Sequence, residues 1–296
     1  MTISTKFFTR KNLIITAIVV LTLYVAIWAT ALIIQTTHDS RAKHAAAILK
    51  KQYDAQTPEY KAVLKAQQYL KNSLGTVQVE QRLVLDYLQR QFNLDESLSA
   101  AKTPFQIVEN PRTYPQEINF LARISYPEKL VTVPPRNVVD GPILTNIYSA
   151  NCDHVQLPAN FWSTMNDNYK QGGYYVTHDA LAFAFIRDNS CTIPTSESEL
   201  QSKVVDSMVK LAGDPNTNSD LRYEAIAFLG LSGHAPLIDS KWIDKVIAEQ
   251  KSDGSWVDGK DVQNRDHTTT LALWALLEYR KPNVRHEPLI RHTSGQ

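Results

Sequence analysis

The sequence predicts an all-α protein: an N-terminal transmembrane helix followed by a helical domain with a partial array of α/α hairpins. Three observations predict it. Residues 13–34, LIITAIVVLTLYVAIWATALII, run for 22 residues without a charge. Two stretches beyond them, TPEYKAVLKAQQYLKNSLG and VEQRLVLDYLQRQF, place apolar residues at helical spacing. Further on, three segments repeat: THDALAFAFI from Thr177, RYEAIAFLGL from Arg222 and TTTLALWALL from Thr268, with Ala182, Ala227 and Ala272 at two intervals of 45 residues.

The first element is the anchor. A helix of that length crosses the roughly 30 Å hydrocarbon core at 1.5 Å per residue. Its apolar run is long for the core of a cleaved signal peptide, although Ala29 and Ala31 imitate a cleavage site. Lys6, Arg10 and Lys11 precede it and Arg41, Lys43, Lys50 and Lys51 follow, so charge counting alone does not orient it. A short basic tail ahead of a first helix usually stays inside. The expectation is therefore a cytoplasmic tail over 1–12, an anchor over 13–34, and the rest outside the cytoplasm, periplasmic or extracellular.

Residues 35–102 read as a helical membrane-proximal region. Thr57 can cap, Pro58 suits a first turn and Gly75 ends the helix whose apolar stripe is Tyr60, Val63, Leu64, Leu70 and Leu74. Leu83, Val84, Tyr87, Leu88 and Phe92 mark the next. Over 103–160 eight of the 14 prolines fall between Pro104 and Pro158. Proline lacks an amide donor and breaks helices. The stretch keeps Phe105, Phe120, Leu121, Ile143, Leu144 and Ile147, so it reads as a packed connector of short helices and irregular chain. The repeat occupies 161–282. Each unit pairs a small-residue helix with a polar, amphipathic one, ELQSKVVDSMVKLAG or SKWIDKVIAEQKSDG, which is the pattern of an α/α-hairpin array. A polar tail is expected over 283–296.

Composition excludes several functions. Net charge is +1, so no basic field points to nucleic acid. Glycine is scarce, at 10, and no GxGxxG or Walker-type loop occurs. The G-x-S-x-G elbow, HExxH and the EF-hand loop are absent as well. The two cysteines, Cys152 and Cys191, read as one disulfide outside the cytoplasm, or as two unrelated buried thiols inside it.

The stretch EQKSDGSW at 249–256 ends a helix. Asp253-Gly254 makes a tight turn, Gln250 can satisfy exposed backbone groups, and Trp256 offers a flat face to lie between neighbouring hairpins. Q-x-x-D-G-S-W followed by a loop and TTLALWALLEY resembles the QW-type repeat of the terpenoid cyclase and protein prenyltransferase α/α toroids. The resemblance is good over 236–281, weaker over 161–235 and absent before 160. It implies a toroid and a structural role for the motif, but no particular chemistry, because polysaccharide lyases, lanthionine cyclases and thioester domains share that architecture. The cyclases' D-x-D-D and D-D-x-x-D acids are missing here. NRDHTTTLALWALL resembles the zinc-histidine region of the prenyltransferases at His267, yet no cysteine stands at the matching Asp-x-Cys position. Metal and cofactor stay unassigned.

In such an array the small-residue helices line the centre and their N-termini open on one face. The candidates there are Tyr174, Tyr175, His178 and Asp179 from the first start, Arg222, Tyr223 and Glu224 from the second, and Asp266, His267 and Thr268 from the third. His178, Tyr223, Glu224 and His267 form the candidate catalytic set, since imidazoles, a carboxyl and a phenol suit acid–base chemistry. Thr177, Asp179, Asp220 and Asp266 also read as ordinary helix-start residues. N-C-D-H at 151–154 reads as a disulfide half, a turn aspartate and His154 near the mouth. The functional expectation is a membrane-anchored extracytoplasmic binding or accessory protein, with a polar cleft for a glycan, lipid or protein ligand and no nucleic acid. The alternative is a lyase, hydrolase or transferase using the cleft rim.

Overall fold

In the computed structural model the described residues are 56–73, 77, 79–98, 117–128, 141–259, 261, 263–282 and 286–292, of which 117–119 carry only their backbone. The anchor expected over 13–34 lies outside them. Among the described residues no helix is long and apolar enough to cross a membrane. Pro58–Gln296 form one compact unit.

Ten α-helices carry that unit among the described residues, and no strand occurs there beyond an isolated bridge between Asp258 and Asp261. They are α1 (Pro58–Ser73), α2 (Val79–Phe92), α3 (Glu117–Ser125), α4 (Gly141–Ala150), α5 (Phe161–Gln171), α6 (Tyr174–Asp188), α7 (Ser198–Gly213), α8 (Ser219–Leu231), α9 (Ser240–Ala248) and α10 (Arg265–Arg280).

Their composition decides who sits inside. In α8 every residue from Asp220 to Leu231 is buried, and in α10 every residue from Thr268 to Glu278. A helix buried all round must be surrounded by other helices. By contrast α7 buries one stripe, Leu200, Val204, Val205, Met208 and Ala212, and α9 buries only Ile243 and Val246. The packing follows. Helix α2 contacts α3, α3 contacts α4, α4 contacts α6, α6 contacts α8, α8 contacts α10, and α10 returns to α2, a closed circuit of six. Outside it, α5 lies on α4 and α6, α7 on α6 and α8, and α9 and α1 on α10. The proline-rich connector therefore supplies two members of the circuit, α3 and α4, which the 45-residue period does not reveal.

The DGSW turn holds the two ends of this unit together. Gln250 Nε2 donates to the Ala62 carbonyl of α1 at 2.9 Å and to the Gly254 carbonyl at 3.1 Å. Gly254 has φ +94°, and a Cβ there would overlap the Lys65 carbonyl of α1. Only glycine combines that conformation with that approach. Trp256 is fully buried, donates from Nε1 to the Val246 carbonyl of α9 at 2.7 Å, and receives α10 through its own N–H to Thr269 Oγ1 at 3.0 Å.

Cys152 and Cys191 form a disulfide, with Cα atoms 6.2 Å apart. It ties the end of α4 to the end of α6. Beside it Asp153 takes a two-pronged ion pair from the buried Arg123 of α3 at 2.7 and 2.8 Å, and His154 stands 3.3 Å from the same carboxylate. The expected polar tail contains Leu289 and Ile290, both fully buried. Its backbone is held by Arg90, which donates to the Leu289 carbonyl at 3.2 Å, and by Asp188, which accepts from Leu289 N–H at 2.6 Å.

Candidate functional site

Inside the circuit lies a cavity of about 380 Å³. That is within the roughly 300–1,000 Å³ range of small-molecule sites. Four helices lead into it from their N-terminal ends, and each changes character along its length. Helix α2 presents Glu80 and Gln81, then Val84 and Tyr87; α6 presents Tyr174 and His178, then Leu181. Helix α8 presents Asp220 and Glu224, then Phe228; α10 presents His267 and Thr270, then Leu271 and Trp274. From Asp220 to Phe228 a helix rises about 12 Å. Phe120, Leu121 and Ile124 of α3 and Leu289 of the C-terminal segment complete the apolar part. Trp274 lies between Tyr87 and Phe228, tilted against the first and edge-on to the second, with ring centroids 5.4 and 5.2 Å away.

At the polar end, two carboxyls stand one turn apart on α8, and each faces an imidazole. Asp220 Oδ2 is 3.4 Å from His267 Nε2 and accepts from Tyr174 OH at 3.1 Å, while its Oδ1 accepts from Thr268 Oγ1 at 2.6 Å. Burial would raise this carboxyl, but His267, Thr268 and Tyr174 outweigh it and hold Asp220 below the usual range. The opposite happens to Glu224. Burial and the nearby Asp220 charge push it up to about 8, against the pull of His267 and Thr177. Its Oε1 lies 3.8 Å from His178 Nδ1. His267 loses basicity to burial, yet its hydrogen bond and charge pairing with Asp220, helped by Glu224 and Glu80, raise it overall. Gln81 Nε2 lies 3.0 Å from His267 Nδ1 and donates to it when that imidazole is neutral. Near neutral pH the rim thus pairs an ionised Asp220 with a neutral, proton-bearing Glu224. Environments that split two carboxyls in this way suit one as acceptor and the other as donor.

The structure brings together three of the four expected site residues, His178, Glu224 and His267. The fourth, Tyr223, does not reach the cavity. Tyr223 is fully buried, donates to Glu249 Oε2 and shares that carboxylate with Arg222, at 2.7 and 2.9 Å from its Nη2. It staples α8 to the end of α9 and is absent from the cavity wall. The 45-residue period aligns Tyr223 with His178, but the cavity face of α8 sits one residue later, at Glu224. One residue turns a helix by about 100°, enough to face the other side. Asp179, Asp266 and Arg222 likewise point elsewhere: Asp179 takes Asn168 Nδ2 at 2.9 Å and Asp266 takes Tyr69 OH at 2.9 Å. His154 stays with Asp153.

Several polar wall residues are not marked by the sequence: Asp220 reads as a helix-start acid, and Glu80, Gln81, Asn264 and Thr270 do not stand out. The available signal was Gln81, a polar residue within one turn of Leu83, Val84 and Leu85. Among the described residues no group of three or more His, Cys, Asp or Glu stands close enough to hold a metal ion. Compared with known proteins, the chain matches no family model, no curated protein and no solved structure.

Proposed function

We propose that this protein binds an amphipathic small molecule, holding its apolar body between Phe228, Trp274 and α3 and its polar end at the Asp220–His267 and Glu224–His178 pairs. One observation carries the reading: along α2, α6, α8 and α10 alike, the cavity wall passes from polar to apolar within about two turns. A wall with that gradient matches a ligand with the same gradient, since each buried polar group needs a partner and each apolar surface gains by leaving water. We take the protein to be anchored by residues 13–34 with this domain outside the cytoplasm. The charge-free stretch and the Cys152–Cys191 disulfide, at home in oxidising compartments, support that placement. We also read the six-helix circuit with its outer helices as an α/α toroid, the architecture that the Q-x-x-D-G-S-W stretch resembles.

The test uses Trp274 as reporter. Full-length protein in lipid nanodiscs is titrated with bromodecanol, whose bromine quenches indole fluorescence on contact. Saturable quenching is expected in the native protein, lost in Trp274→Phe and weakened in the cavity-filling Leu271→Phe. Quenching that rises without saturation and is identical in all three would sink the reading.

A second reading is favoured by the split carboxyls. With Glu224 as proton donor and the Asp220–His267 pair as acceptor, the rim suits general acid–base chemistry, so the protein acts as an enzyme on the ligand it binds. Turnover of the bound molecule that disappears in Glu224→Gln, with binding retained, supports this reading. Recovery of the ligand unchanged after prolonged incubation refutes it.

A further inference from the structure

Resting on the amphipathic reading of the cavity, we propose that the ligand's polar end is a cation, an alkylammonium group seated among Glu80, Asp220 and Glu224. The charge census of the wall points there. Among the described residues three carboxyls line the cavity and no lysine or arginine does. The two imidazoles on it are engaged, His267 Nε2 at 3.4 Å from Asp220 and His178 Nδ1 at 2.9 Å from the Tyr174 carbonyl. A site for phosphate or carboxylate uses helix N-termini together with arginine or lysine. Here four helix N-termini face the mouth, each worth about half a positive charge. Acidic side chains of the cavity wall already stand in the first turn of two of them, Glu80 on α2 and Asp220 on α8, and Glu224 follows one turn later on α8. An incoming anion would meet those carboxyls first.

Hydrogen-bond supply agrees with charge. Gln81 is 4% exposed, lies on the wall, and its Oε1 has no hydrogen-bond partner. The missing element is a donor. An ammonium brings three donors and no acceptor, an alcohol brings one of each, and a carboxylate brings acceptors alone. Glu224 adds a linkage. The groups facing it are Tyr174, Thr177 and His178 of α6, Asp220 on its own helix, and His267 of α10. A cation arriving beside it favours its ionised form, so ammonium binding should release a proton that an uncharged ligand does not.

The experiment is a calorimetric titration of the full chain in lipid nanodiscs with decylammonium, decanol and decanoate, each corrected by empty nanodiscs, at pH 7 in two buffers of different ionisation enthalpy. Decylammonium should bind at least tenfold more tightly than decanol, with decanoate weaker still, and only the amine should show proton release. Glu80→Gln and Asp220→Asn should each weaken the amine by about tenfold, equivalent to 1.4 kcal/mol, and narrow its preference over decanol; thermal melts of both variants establish that they fold. Decanol or decanoate binding as tightly as the amine overturns the cation while leaving the amphipathic cavity standing. Binding of none of the three, with folded protein, overturns the cavity reading itself. Amine binding unaffected by both substitutions places the ammonium elsewhere and overturns the proposal.

Discussion

Asp179→Asn should make the protein more stable in alkali and leave it nearly unchanged in mild acid. Asp179 is fully buried, with Asn168 Nδ2 donating to Oδ1 at 2.9 Å and nothing bonded to Oδ2. Burial pushes the carboxyl from 3.8 up to about 8, and the one bond from Asn168 opposes this only in part. The folded protein therefore keeps a proton that the unfolded chain releases above about pH 4. The sign follows. Between those two values the native state holds more protons, so stability falls as pH rises, by at most about 1.4 kcal/mol per pH unit. Four units give a ceiling of roughly 5–6 kcal/mol, which water entering around the ionised group reduces to a few. Asparagine is the uncharged counterpart of the protonated acid: its oxygen still accepts from Asn168, and it does not titrate. Urea melts at pH 5, 6, 7 and 8.5 would show the variant within about 1 kcal/mol of the native protein at pH 5 and more stable by about 2–4 kcal/mol at pH 8.5. Glu224 and His267, both raised, give a slope of the same sign in both proteins, so only the difference between them reports Asp179. Parallel pH profiles would refute the reasoning.

Other perturbations test the frame that holds the site. Trp256→Ala removes a fully buried indole and its bond to the Val246 carbonyl, and should cost about 3–5 kcal/mol in a denaturant melt; an unchanged midpoint would mean that the DGSW turn does not lock α9, α10 and α1. Gly254→Ala meets both a positive φ and the Lys65 carbonyl, so it should cost upwards of about 1–3 kcal/mol and loosen α1, seen as faster amide exchange over 58–73. Cys152→Ser with Cys191→Ser opens a loop spanning 39 residues and should cost about 4 kcal/mol in the chain-entropy account, measured against the oxidised protein. Equal melts for oxidised and reduced protein would contradict it.

The helical class and the inner helices were legible because they rest on local features. Small residues at helical spacing in 177–186, 222–231 and 268–277 mark α6, α8 and α10 as helices that others approach closely, whatever those others are. Gln250, Gly254 and Trp256 were legible as a helix stop for the same reason, since a turn with a left-handed residue needs glycine. His178, Glu224 and His267 were recoverable as a group because repeat units begin at one end of the array. What the tertiary structure alone decided was long-range. The circuit closes through α2, α3 and α4, which share no repeat with the rest, because burial depends on total shape and not on sequence period. Tyr223 and Glu224 are neighbours in sequence, yet one braces α9 and the other faces the cavity, since a single residue of helix rotation separates the two sides. The charge of the site was likewise invisible in a chain of net charge +1. Only the fold sets Glu80 and Gln81 of α2 against Asp220 and Glu224 of α8. Burial then leaves one α8 carboxyl charged and the other neutral, because desolvation and hydrogen bonding act through neighbours that the linear sequence keeps far apart.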